Sequence, residues 1–198
     1  MLGEGEHALA RNRFNRYGPL LSLGRLVEAE QILESCLAVF RGVVDLSMEA
    51  SVLSALGDLW YRRGDLEQAA GLERQALAAR NRLFDLEGRS ISHGNLADYL
   101  DHLGVTEEAA RYRLARIVYD LVMRHGEFLA TDLGNLAILM RRAAASEKRY
   151  ELPRLAELLA RPEFEPLQRT LTEWKVGLDE LQAKIDQQVE EVRRGVEA

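Results

Sequence analysis

The feature that most constrains this chain is a repeat of fixed length. Gly24, Gly64, Gly104 and Ala144 lie 40 residues apart. Ala29, Ala69 and Ala109 follow the glycines by five residues, and Arg149 breaks the series in the fourth copy. Leu56, Leu96 and Leu136 keep the same step, and Asn95-Leu96-Ala97 returns as Asn135-Leu136-Ala137. A unit of this size cannot bury its apolar flank alone, whereas stacked neighbours bury a continuous core; a period in this range therefore predicts a helical solenoid. Folds of that kind mostly present a surface to a partner.

Each unit reads as two helices. In the second copy Val52, Leu53, Leu56, Leu59 and Trp60 form one apolar stripe at helical spacing. The stripe stops at Arg63-Gly64-Asp65, where glycine supplies the backbone freedom that ends a helix. A second stripe follows: Leu66, Ala69, Ala70, Ala76, Leu77, Leu83 and Phe84. Two antiparallel helices joined by a tight turn satisfy both stripes. The third copy has Leu96, Tyr99, Leu100 and Leu103 before Gly104, then Ala110, Leu114, Ile117, Val118 and Leu121 after it. Thr106 is its expected N-cap, with Glu107 and Glu108 suited to the first turn.

The outer copies are less regular. The fourth has Leu129, Leu133, Leu136, Met140 and Ala143 on its first helix, but Pro153 shortens the second to a segment from Pro153 to Ala160. In the first copy Gly18-Pro19 falls inside the first helix. An interior proline costs about 3 kcal/mol, so a kink or break is expected there. The second helix, from Leu26 to Phe40, is sound. The expected architecture is all-α: about four helix-turn-helix repeats, near 8–46, 47–86, 87–126 and 127–162, in a region 1–165, followed by a helix in 166–198.

That last helix carries its own pattern. Leu167, Leu171, Trp174, Leu178, Leu181, Ile185, Gln188 and Val192 alternate steps of four and three, a heptad seam. It predicts one long helix from Pro166 to Arg194, which either caps the last repeat or pairs with a second copy. In the latter case Leu171, Trp174, Leu178, Leu181, Ile185 and Val192 form a homodimer surface.

Composition narrows function. The formal charge of −6 opposes a general binder of phosphate backbones. Cys36 is the sole cysteine, which excludes an intrachain disulfide and a cysteine-based metal framework. No run of 18 apolar residues is present, so no membrane span is expected. Met1 to Ala10 contains Glu4 and Glu6 and no apolar run, unlike a secretory leader, so a cytoplasmic location is expected. His7, His93, His102 and His125 show no metal spacing, no glycine loop is built to cradle phosphate, and no nucleophile elbow or triad is present. No catalytic residue, metal or cofactor is expected.

The run Leu56-Gly57-Asp58-Leu59-Trp60, with Gly64, Ala69 and Ala76, resembles the tetratricopeptide repeat. The third copy keeps Leu96, Ala97, Leu100, Gly104 and Ala109, the fourth Leu136, Ala137, Met140 and Ala144, and the first Gly24 and Ala29. Small residues let two helices approach and large ones fill the space between repeats. Usual members repeat about every 34 residues. The longer period and the Asn-Leu-Ala of the first helix resemble the subgroup of kinesin light chains and bacterial regulatory proteins. The resemblance covers about residues 10–160. It implies a right-handed solenoid whose first helices line a concave face that binds extended or helical peptides.

Carried over by the 40-residue step, the groove rows implied by this resemblance are Ser54, Gly94 and Gly134; Asn95 and Asn135; Asp58, Asp98 and Ile138; Tyr61, Asp101 and Arg141; and Arg62, His102 and Arg142. The carboxylate clamp of some relatives needs Lys and Asn, and Phe14 and Gly18 stand where two of these would be. Gly94 and Gly134 each cost about 1 kcal/mol inside a helix. A ligand backbone in close approach would account for that, with the Asn95 and Asn135 amides holding its main chain. In the alternative, Gly94 marks a late helix start and Asn95 bonds within the protein. Asp58, Asp98 and Asp101 form an acidic centre, with His102 one turn from Asp98, and Arg141 and Arg142 form a basic end. A mixed-charge segment matches such a groove, and a solvated wall is the plainer reading.

The expected function is a non-catalytic scaffold for a peptide or protein partner. A second reading is a regulatory or sensor segment of a larger bacterial signalling protein with a nucleotide-switch or protease domain, Met1 then being the start of a fragment. A third, RNA binding by a helical repeat, needs a basic groove and is opposed by the acidic centre and the net charge.

Overall fold

The computed structural model describes residues 4–124, 129–145 and 154–197, and among these every regular element is a helix. The chain divides into two compact units, Met1–Tyr99 and Leu100–Ala198.

The first unit holds α1 (Glu4–Phe14), α2 (Tyr17–Ser22), α3 (Leu26–Gly42), α4 (Leu46–Arg63), α5 (Leu66–Leu83) and most of α6 (Leu86–His102). The expected break in the first repeat lies just before the proline. A proline ring collides with the carbonyl four residues back, here that of Asn15, so α1 ends at Phe14. The chain restarts at Tyr17 with Pro19 in the first turn, where no amide hydrogen is required. Leu33, Cys36 and Phe40 of α3 bury with Val52, Leu56 and Leu59 of α4 and with Ala10, Leu20 and Leu21. Along the α4/α5 hairpin Ala50 and Leu53 bury with Ala76 and Ala79. A Cβ added to Gly57 would stand 3.3 Å from the Ala69 carbonyl oxygen, so glycine permits the close approach of α4 and α5. This is the physical content of the Leu56-Gly57 signature.

Gly24, Gly64 and Gly104 have φ of 71°, 86° and 78° and close the turn between the first and second helix of each pair. The turns that lead on to the next pair hold left-handed residues as well: Val44, Phe84 and Arg124, at φ of 58–59° and again 40 residues apart. Asp45 and Asp85 follow two of these and accept from the backbone amides of Met48 (3.0 Å) and Gly88 (2.9 Å), capping α4 and α6.

The second unit holds the end of α6, α7 (Thr106–Met123), α8 (Leu129–Ala145), α9 (Leu155–Leu159), a 3-10 turn (Pro162–Phe164), α10 (Glu165–Glu173) and α11 (Leu178–Glu197). Ala109, Ala110, Leu114, Ile117 and Val118 of α7 are buried. Thr106 is the first residue of α7 rather than its cap; Val105 takes that place and contributes no side-chain bond. His125, Arg149 and Pro153 lie outside the described residues.

The single helix expected from Pro166 to Arg194 is two helices. The Val176 amide donates to the Leu171 carbonyl (3.0 Å) and the Lys175 amide to that of Thr172 (3.1 Å), with Lys175 at φ 53°. These two reverse bonds around a left-handed residue form a Schellman stop. After it α11 folds against α8 and α9, burying Leu181, Ile185 and Val189, and its Gln182 side chain accepts from the Leu155 amide (2.7 Å) at the start of α9.

Candidate functional site

The first helices α4, α6 and α8 carry the predicted groove residues. In the first unit two of them turn inward. Ser54 Oγ donates to Glu73 Oε1 (2.8 Å), and Asn95 Nδ2 donates to Glu73 Oε2 (3.1 Å). Ser92 Oγ donates to the same carboxylate (2.6 Å), as does Arg80 Nη1 (3.2 Å), which also reaches Ser92 Oγ (2.5 Å). Glu73 is 0% exposed. A buried carboxylate survives only with a paired charge and filled lone pairs, and α4, α5 and α6 each supply part of that set. The Asn95 donor is thus engaged inside the chain. Gly94 lies well within α6, which begins at Leu86, so it does not mark a late helix start.

Other residues of the first unit face outward. Arg62 and Asp58 pair one turn apart on α4 (3.1 Å), both partly exposed. Tyr61 stacks on Tyr99 with ring centroids 5.2 Å apart. Burial, and then the charges of Glu73, Asp58 and Asp98, push the Tyr99 phenol above its ordinary range, so it stays neutral in an acidic surrounding. Asp98 is half-buried beside it in sequence.

In the second unit Arg142 of α8 pairs with Asp101 at the end of α6 (2.7 Å), and His102 is exposed. The acidic centre and the basic end read from the sequence are therefore neutralised in part by Asp58–Arg62 and Asp101–Arg142. Gly134 lies inside α8, and a Cβ added there would meet nothing within 4 Å. Ile138 is 50% exposed, Arg141 is exposed and Asn135 is half-buried. At steps of four and three, Gly134, Ile138 and Arg141 share one side of the helix. Beneath, Arg113 Nη1 donates to Asp132 Oδ1 (2.8 Å), while Arg116 lies 2.8 Å from Asp132 and 3.8 Å from Asp120.

Of the residues proposed for pairing with a second copy, Leu171, Leu181 and Ile185 are buried in the chain's own core and Val192 is half-buried. Trp174 and Leu178 remain exposed. Leu83 and Phe84, read as the end of an apolar stripe, are also exposed; the Arg89 guanidinium covers the Phe84 ring at 4.9 Å.

The polar residues that organise both units are Glu73, Arg80, Arg113, Asp120 and Asp132, none of which belongs to the groove rows or the apolar stripes. A signal was present. Glu73 stands between Ala69-Ala70 and Ala76-Leu77, in the middle of an apolar stripe rather than on its polar side. Arg113 stands likewise between Ala109-Ala110 and Ile117.

Among the described residues no three His, Cys, Asp or Glu side chains gather to hold a metal ion, and no helix is long and apolar enough to cross a membrane. The chain is similar to a crystal structure of a Podosopora anserina protein, assigned as a kinesin light chain, with nearly identical TPR-like repeats: TM-score 0.59, 15% identity, 95% of each chain covered. A single-substitution variant of that protein matches with TM-score 0.62 and 16% identity over 95% of this chain and 94% of the other. The fold is thus the all-helical solenoid of TPR-like repeats. No family model and no curated protein matches the sequence.

Proposed function

We propose that the chain is a non-catalytic scaffold that binds a peptide or protein segment on the faces of its first helices. The observation that carries this reading lies on α8. Ile138 is 50% exposed, one turn after a glycine over which no side chain packs and one turn before the exposed Arg141. Neither feature helps the fold: the glycine costs about 1 kcal/mol in a helix interior and no neighbour requires it. A docked segment could pass close over Gly134 and cover Ile138, and full burial of such a side chain is worth roughly 1.5–3 kcal/mol. Arg141 suits an acidic group on that segment.

The test is a displayed random-peptide library panned on the full chain. Sequences enriched on the wild type should lose at least tenfold in affinity on Ile138→Asp/Arg141→Glu, with the helical spectrum unchanged. Failure to enrich any sequence, or equal binding to the variant, would remove the reading.

A further inference from the structure

Three slots recur where one helix pair stacks on the next. Two lie seven residues apart on the second helix of a pair, and one lies on the first helix of the pair that follows. At the first junction they hold Leu33, Phe40 and Val52, all fully buried in one apolar cluster. Forty residues on they hold Glu73, Arg80 and Ser92, and forty further Arg113, Asp120 and Asp132, again buried. The same positions are thus apolar, then acid-centred, then base-centred. At the second junction Glu73 receives Arg80 (3.2 Å) and Ser92 (2.6 Å). At the third the signs reverse: Arg113 donates to Asp132 (2.8 Å), and Arg116, where Cys36 and Ala76 stand in the earlier copies, joins Asp132 (2.8 Å).

Buried ion pairs are poor stabilisers, and a well-packed apolar set of similar volume often does as well or better. Their clearest use is to exclude wrong pairings. Of the six mismatched pairings of a second helix with a first helix, five strand a charge; the sixth, α3 against α6, sets only Ser92 against Leu33 and Phe40. With α5 against α8, Glu73 would meet Asp132, two carboxylates in a dry slot. With α7 against α6, Arg113 would face Ser92 and Asn95 and no carboxylate from that helix. With α5 or α7 against α4, a charge would face Val52. With α3 against α8, Asp132 would face Leu33 and Phe40.

We infer that the three slots form a lock on repeat order: α5 and α7 accept only their own successors and α8 accepts only α7, so the charged hairpins do not stack out of sequence within one chain or between two copies. Matching hairpins alone would not supply this, because the repeat geometry is common to all the junctions and the slot chemistry is what differs.

The test rewrites the third junction in the full chain. Arg113→Glu/Arg116→Ala/Asp120→Arg/Asp132→Ser copies the three slots and Ala76 of the second junction, and Arg113→Leu/Arg116→Ala/Asp120→Phe/Asp132→Val copies the three slots of the first, with alanine in place of Cys36. Each is unfolded in denaturant, refolded at high concentration and sized by light scattering after gel filtration. Both should regain native helix content, because each set of slots is complementary in itself. Both should give at least fivefold more two-chain and larger species than the wild type, because α8 then matches two different second helices. Arg113→Leu alone, which creates no new match, should lower the denaturation midpoint without that increase. The inference is overturned if both rewritten chains refold with the wild-type distribution of sizes. It is equally overturned if neither regains its helices, or if Arg113→Leu associates as strongly as they do.

Discussion

The turns inside the helix pairs and the turns between them reach the same backbone by different means. Gly24, Gly64 and Gly104 sit at φ of 71–86°, and at none of the three would an added Cβ meet an atom within 4 Å. Glycine there answers to the dihedral angle alone. Between pairs, Val44, Phe84 and Arg124 take φ of 58–59° with full side chains, each at a cost of roughly 1–2 kcal/mol. The stacking geometry therefore dictates the turn, and the residue complies at whatever cost it carries. Phe84 recovers part of that cost under the Arg89 guanidinium, at 4.9 Å. Val44 is 71% exposed, and nothing in the structure explains a valine there.

The sharpest contrast with the turns inside the pairs lies at Gly88, which serves the turn after α5 without a positive φ. An added Cβ would lie 2.1 Å from Asp85 Oδ2 and 2.8 Å from Arg80 Cδ. Gly88→Ala must dislodge both the cap of α6 and the arginine that neutralises Glu73. We expect a loss of about 3 kcal/mol in urea unfolding, combining a lost cap with overpacking. A loss no greater than that of Gly64→Ala would mean that the turn after α5 yields as easily as the turn inside a pair.

Acid probes the helix that this turn launches. His93 of α6 is buried, and burial, followed by the charge of Arg89, pushes its imidazole down to about 3. Its folded value lies below the unfolded value near 6.5, so the unfolded chain takes up the proton first. The stabilising contribution is complete above pH 6.5 and is lost progressively as pH falls towards 3, on the order of 1 kcal/mol per pH unit. Denaturation midpoints at pH 7, 5.5 and 4.5 should fall accordingly, and His93→Gln should flatten the slope. An unchanged slope would place the acid response elsewhere.

Smaller effects follow at the turn residues themselves. Gly64→Val should cost roughly 1–2 kcal/mol, since φ of 86° suits no branched residue. Val44→Gly should have the opposite sign and stabilise by up to about 1 kcal/mol, net of the entropy that glycine loses on folding. Phe84→Gly should gain less, because the ring under Arg89 is lost with it. Melting temperatures of the three would rank the turns, and destabilisation by Val44→Gly would show that the valine side chain has a folding role.

The repeat was legible because glycine marks one of its two turns and small residues mark the helix contacts, as Gly57 against Ala69 shows. The break before Pro19 was legible for a similar reason: a missing amide hydrogen and a ring clash act locally. The turns at Val44, Phe84 and Arg124 were not, because no residue type signals them. The stop at Lys175 was hidden by a four-three spacing that runs straight through it, although Gly177 stood two residues on. At the candidate site the 40-residue step set Asp58, Asp98 and Ile138 at matching positions of α4, α6 and α8. It did not show that Asn95 and Ser54 point towards Glu73, because a carboxylate within an apolar stripe is read by default as solvated. Tertiary burial, which one sequence does not display, decides that question.

One consequence follows from α11 lying down on α8 and α9. Stacked helical arrays are open-ended by nature, since the flank that welcomes one more hairpin welcomes any number. Here Leu181, Ile185 and Val189 are buried where α11 meets α8 and α9, and Gln182 holds the start of α9, so the chain's own residues occupy that flank. A further hairpin could reach α8 and α9 on that side only by displacing α11.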